Sequence, residues 1–136
     1  MRKSAYINAT LAAGSVTSPY FVQLNVSQKL CHKVCKDNTP IFAPVVSFVE
    51  VSQVATGQYV ATFHIEGLIS YQPCGCGCNS RTMNVSQDFT VAIASATAPT
   101  SVTVVAGVPV NALIAPPCQN CTRDFVSEIP LTITVA

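Results

Sequence analysis

Most of this chain alternates apolar and polar residues at every second position, and this pattern is what most constrains its fold. Within residues 20–29, for example, the apolar Val22, Leu24 and Val26 alternate with polar residues. Successive side chains of a strand point to opposite faces, whereas a helix needs a repeat of about 3.6 residues, which no window shows. The sequence therefore predicts an all-β protein, an antiparallel β-sandwich of jelly-roll or immunoglobulin-like topology with about seven or eight strands, and leaves the strand order open.

The predicted strands cover residues 4–13, 20–29, 45–54, 59–71, 82–95, 100–114 and 125–136. Gly57 supplies the turn of a hairpin between the third and fourth of them. In the stretch 100–114, Gly107 and Pro109 predict a bulge or a sheet edge. Residues 31–44 carry Pro40 and Pro44 and several polar residues, so we expect a long polar loop there.

The seven cysteines fall into three clusters: Cys31 and Cys35; Cys74, Cys76 and Cys78; and Cys118 and Cys121. A bridge between near neighbours closes a strained ring, so we expect each sulfur to pair with a distant one. Three bridges within the chain leave one thiol, which suggests a bond to another copy. The alternative is a zinc site built on Cys118 and Cys121, with two sulfurs of either other cluster. Because the chain has ample β-core of its own, we expect disulfides and no metal or other cofactor.

The low charge of the chain points to self-association. Hydrophobic residues make up 49% and charged residues 10%, with a net charge of +1, against about 25% charged residues in an ordinary domain. Such a surface neither attracts nucleic acid nor keeps copies apart by repulsion. The longest uncharged run, residues 89–122, is broken by four prolines, so we expect no membrane insertion.

The N-terminal segment, residues 1–19, is expected to be a strand and linker, and residues 20–136 the sandwich domain. Ile7, Ala9 and Leu11 share one face of the strand, and residues 14–19 form a turn-prone linker. We expect this strand to insert into the sheet of a neighbouring copy. Pairing within its own sheet is the alternative. Asn8 and Thr10 interrupt the apolar core that a signal peptide would need.

Enzymatic chemistry is not expected. His64 and Glu66 alternate onto one strand face and could form a catalytic or metal-binding pair. Two solvent-facing polar side chains are the simpler interpretation. The six acidic residues are dispersed without a paired-carboxylate motif, and the chain has no phosphate-binding loop.

With its β-rich pattern, low charge, clustered cysteines and no evident signal peptide, the chain resembles the self-assembling subunits of bacterial endospore appendages. The resemblance implies a jelly-roll subunit that polymerises by strand augmentation, with disulfides between subunits and oxidation on release from the mother cell. Those subunits carry cysteines in an N-terminal connector, whereas no cysteine precedes Cys31 here. From the resemblance we expect a disulfide-linked filament subunit at an extracellular, cell or spore surface. The alternatives are a metal-binding β module and a viral capsid or tail sandwich.

Overall fold

The computed structural model describes residues 5–12, 17–73, 80–115 and 120–136. These residues form nine strands and no helix. The strands are β1 (Tyr6–Leu11), β2 (Tyr20–Cys35), β3 (Ile41–Phe42), β4 (Val45–Ala55), β5 (Gln58–Tyr71), β6 (Arg81–Ala94), β7 (Val102–Ala106), β8 (Val110–Leu113) and β9 (Cys121–Val135). The hairpin predicted around Gly57 is confirmed, since β4 and β5 meet there and Gly57 has a φ of 73°.

The strands form two antiparallel sheets, and the predicted all-β sandwich is confirmed. In the first sheet the order is β1-β2-β9, and β7 and β8 both pair with the far side of β9. In the second sheet β5 is central, with β6 on one side and β3 and β4 on the other. The sheets are aligned so that β1 lies against β6 and β4 lies against β7. The edges of the two sheets therefore meet along both sides of the sandwich.

The core follows the alternation read from the sequence. Leu24 and Val26 on β2 and Ile129 and Ile133 on β9 are fully buried. From the second sheet, Phe63 stacks on Phe89 with 5.5 Å between ring centroids. Because the inner faces are almost wholly apolar, burial of these side chains is the main stabilising term of the sandwich.

The predicted loop over residues 31–44 is wrong at its beginning. β2 continues to Cys35, and a second segment of pairing with β9 joins Val34 to Thr122 and Cys35 to Cys121 after a register shift that begins at Lys29. Leu30 and Val34 are fully buried and stay in phase with the buried Val22, Leu24 and Val26. The inward position between them is His32, which is polar and exposed, and this explains why the sequence pattern ended the strand too early.

The edge formed by β7 and β8 is interrupted where the sequence predicted a bulge or an edge. Residues 107–109 separate the two strands, and Gly107 lies beside Pro130 of β9. Proline has no N–H to offer a partner strand, so the ladder cannot continue past it on the side of β7 and β8. The interruption follows directly from Pro130.

Candidate functional site

One end of the sandwich brings together all three cysteines that the structure describes. Cys35 ends β2 and lies directly opposite Cys121, the first residue of β9. Each takes part in a disulfide bond, and their sulfurs are 3.8 Å apart. A disulfide S–S bond is about 2.05 Å long, so these two sulfurs are not bonded to each other. Cys31, four residues earlier on β2, is a free and exposed thiol.

The turn from β5 to β6 starts at the same end. Tyr71, the last residue of β5, pairs with Arg81, the first residue of β6. The hydroxyl of Tyr71 lies 3.0 Å from Nδ1 of His32 on β2. Cys74, Cys76, Cys78 and Cys118, which the sequence assigned to the cross-links, lie outside the described residues. That assignment stays a prediction for them.

Polar contacts hold the cysteine end, defined as Cys31, Cys35 and Cys121 with their neighbours, in place. Nε of Arg123 donates a hydrogen bond of 2.7 Å to the carbonyl oxygen of Leu30. Burial raises the pKa of Tyr71 above its ordinary value and the nearby Cys31 raises it further, while Arg81 and Arg123 lower it. Tyr71 therefore stays a neutral hydrogen-bonding group at physiological pH.

The predicted donor strand is paired within the chain. Ile7, Ala9 and Leu11 lie opposite Val26, Leu24 and Val22 of β2 in an antiparallel register without a shift. The three side chains are partly buried against the core. Beyond Leu11, the N–H of Ala12 donates to the carbonyl oxygen of Phe21 over 2.8 Å. In a single copy, β1 thus completes one edge of the first sheet, and its donation to another copy stays a prediction.

The other edges of the two sheets differ in how regularly their strands pair. On β4 the register with β5 shifts between Phe48 and Glu50 and again between Gln53 and Ala55. The extra residues at the two bulges, Val49 and Val54, are exposed. The β7 and β8 edge is broken at Pro130, as described above. β6 keeps a regular register along β5 but lies against β1.

His64 does face solvent on β5, but its partners lie on β6. Its Nδ1 is 2.7 Å from Oδ1 of Asp88, and its Nε2 is 3.1 Å from Oγ of Ser86. Sequence reasoning had associated His64 with Glu66 only. Ser86 and Asp88 are two residues apart on β6 and so share a face, and the register of β5 with β6 brings that face beside His64.

Among the described residues, no group of three or more His, Cys, Asp or Glu side chains is arranged to hold a metal ion. The same residues include no helix with the length and apolar character needed to cross a bilayer. Comparisons with protein-family models, with curated proteins and with solved structures found no match to this chain.

Proposed function

We propose that this protein is a structural subunit of a self-assembling filament at an extracellular, cell or spore surface. Its partner is another copy of the same chain, and disulfides cross-link the copies. The observation that carries the proposal is the regular pairing of β1 with the edge of β2, and that edge of β2 is called the β1 slot. Any other copy carries an identical strand that fits the same slot.

The slot suits exchange between copies because its register is continuous from Tyr6 opposite Ser27 to Leu11 opposite Val22. Backbone pairing supplies the affinity. The side chains of Ile7 and Leu11 are partly buried, and this fixes which residues of the two strands lie opposite each other. Residues 12–19 connect β1 to β2. An extended segment of that length reaches about 26 Å, enough to cross to an adjacent copy.

Two of the other edges make poorer docking strands, and the regular edge of β6 lies against β1. Bulges and interruptions in an edge oppose the addition of a further strand. β4 has two such bulges, and Pro130 interrupts the opposite edge. The β1 slot is therefore the favoured site for contact between copies. Because one copy gives the strand and the next receives it, the contact runs head to tail and propagates into an open fibre.

Cys31 is the residue proposed to link copies covalently. Its thiol is free and exposed, in contrast to the disulfide-bonded Cys35 and Cys121. Two Cys31 thiols from adjacent copies would lose two protons and two electrons to an external oxidant such as oxygen and form one disulfide. One such thiol per copy joins the copies of a fibre in covalent pairs, and each pair stays linked until a reductant is added.

Two single-residue variants of β1 test the proposal. Ile7→Lys puts a charge on the partly buried face, whereas Asn8→Lys puts the same charge on the exposed face. We expect Ile7→Lys to remain folded by circular dichroism but to give no fibres by electron microscopy, and Asn8→Lys to give fibres of normal length. Normal fibres from Ile7→Lys would show that β1 is not the connector.

Reductant and chelator separate the filament from a metal-binding module. Fibres linked through Cys31 should give covalent dimers in non-reducing electrophoresis, lose them on reduction, and be unaffected by EDTA. If EDTA instead unfolds the protein and releases stoichiometric zinc, the cysteines serve a metal site and the filament proposal fails.

A further inference from the structure

Three polar side chains on the outer face of the second sheet form a hydrogen-bonded chain that filament assembly does not use. Oγ of Ser86 lies 3.1 Å from Nε2 of His64, and Nδ1 of His64 lies 2.7 Å from Oδ1 of Asp88. A hydroxyl, an imidazole and a carboxylate in this order are the nucleophile, base and orienting acid of serine hydrolases.

The strand register explains how a flat sheet builds this arrangement. Ser86 and Asp88 are two residues apart on β6, so both side chains stand on the same face. His64 lies directly opposite Asp88 on β5, and Glu66 lies opposite Ser86. The imidazole ring therefore extends between the two β6 side chains, with one nitrogen facing each.

Asp88 fixes which nitrogen of His64 carries the proton. An ionised carboxylate accepts hydrogen bonds and cannot donate them, so Nδ1 must carry the hydrogen. The lone pair of the neutral ring is then on Nε2, directed at the hydroxyl of Ser86. The hydroxyl donates to Nε2, which is the polarity required for general-base activation of the serine.

We propose that Ser86 is a nucleophile for acyl transfer from small carboxylic esters. Oγ of Ser86 attacks the ester carbonyl carbon while its proton moves to Nε2 of His64. The bond from carbon to the alcohol oxygen breaks, and the leaving alcohol takes the proton from Nε2. Water then attacks the acyl group on Ser86 by the same route, which releases the carboxylic acid and restores the hydroxyl.

The surroundings of Ser86 define the class of ester. The side chain of Glu66 stands beside Ser86 on the exposed face and repels anionic acyl donors. Leu68 lies one row further along this face and is 55% exposed, so it offers apolar contact to a short acyl chain. Neutral esters of short carboxylic acids therefore fit best, and the open face admits esters attached to larger molecules.

The test uses p-nitrophenyl acetate with the full chain. We expect release of p-nitrophenol and an acetyl group on Ser86, located by tandem mass spectrometry of acid-quenched samples. Ser86→Ala should abolish the adduct, and His64→Gln should slow release by about 100-fold, the lower end of what general-base catalysis contributes.

Ser52→Ala is the matched control, because Ser52 is an exposed serine of the same sheet that lies opposite Val60 and not beside His64. This variant should react at the wild-type rate. Circular dichroism of every variant establishes that it is folded. If folded wild-type protein carries no acetyl group on Ser86, or if Ser86→Ala and His64→Gln leave the rate unchanged, the proposal is wrong. The outcome is independent of whether fibres form.

Discussion

The backbone N–H of Gly107 donates a hydrogen bond of 2.7 Å to the carbonyl oxygen of Pro130. A Cβ added to Gly107 would lie 2.8 Å from Cγ of Pro130, closer than two carbons can approach without a shift. Gly107, which has no side chain, thus lies against Pro130, which has no backbone N–H, at one point of the sheet edge.

Gly107→Ala is expected to destabilise the protein by about 1–3 kcal/mol, the usual cost of overpacking a close contact. Urea unfolding followed by circular dichroism gives the free energy of unfolding. Val108→Ala is the control, because Val108 is 83% exposed and its truncation should change stability by less than about 0.5 kcal/mol. Equal stability of the two variants would mean that the chain bends away from Pro130 without cost.

Phe63→Ala is expected to cost about 3–5 kcal/mol in the same measurement, because it removes a fully buried ring and leaves a cavity. Phe63 also contacts two other rings, with centroid distances of 5.8 Å to Phe48 and 5.5 Å to Phe89. Val105→Ala removes an exposed side chain of the first sheet and should be nearly neutral. If Phe63→Ala lowered the free energy of unfolding as little as Val105→Ala does, Phe63 would not belong to the stabilising core.

Cys31→Ser is expected to remove reductant-sensitive oligomers without unfolding the protein. The substituted thiol is exposed and free, so the sandwich does not depend on it. Non-reducing electrophoresis of oxidised samples should show a covalent dimer for the wild type and only the monomer for the variant. A covalent dimer that persists in the variant would assign the links between copies to other cysteines.

The raised pKa of Tyr71 predicts a loss of stability in alkali. Because the folded state holds this proton more tightly than the unfolded chain, the associated stabilisation is complete below the ordinary pKa of 10.0 and declines as pH rises through the higher folded value. Tyr71→Phe has no such proton, so its stability should fall less steeply above pH 10. Tyr6→Phe is the control, since Tyr6 is 70% exposed. Parallel alkaline profiles for wild type and Tyr71→Phe would contradict the prediction.

Alternation predicted the fold class because it reports which side chains face the core. It placed Leu24 and Ile133 inward without reference to any partner strand, and both are fully buried. It failed at Leu30 and Val34, which stay in phase with Leu24 but flank the exposed, polar His32 where the register with β9 shifts. The sequence also named the cysteines at the end of the sandwich, yet it gave no means of knowing that Cys35 lies opposite Cys121. That juxtaposition depends on tertiary pairing alone.

The hydrogen-bonded chain from Ser86 to Asp88 lies beyond sequence reasoning for a similar reason. His64 and Asp88 are 24 residues apart, and a register slip of one residue would turn one of them to the opposite face. The strand pattern put His64 on the solvent-facing side of its strand. Only the observed register supplies the distance between them.

The pairing of β2 with β9 also governs when the protein can fold. The facing residues Cys35 and Cys121 are 86 positions apart in the chain, and these two strands form the centre of the first sheet. Contacts between such distant segments slow folding to the range of milliseconds to seconds, since the intervening chain must first be ordered. The sulfurs of Cys35 and Cys121 come together only after β2 has paired with β9. Oxidation that precedes it would trap scrambled isomers, so the order of the two events decides the yield of native protein.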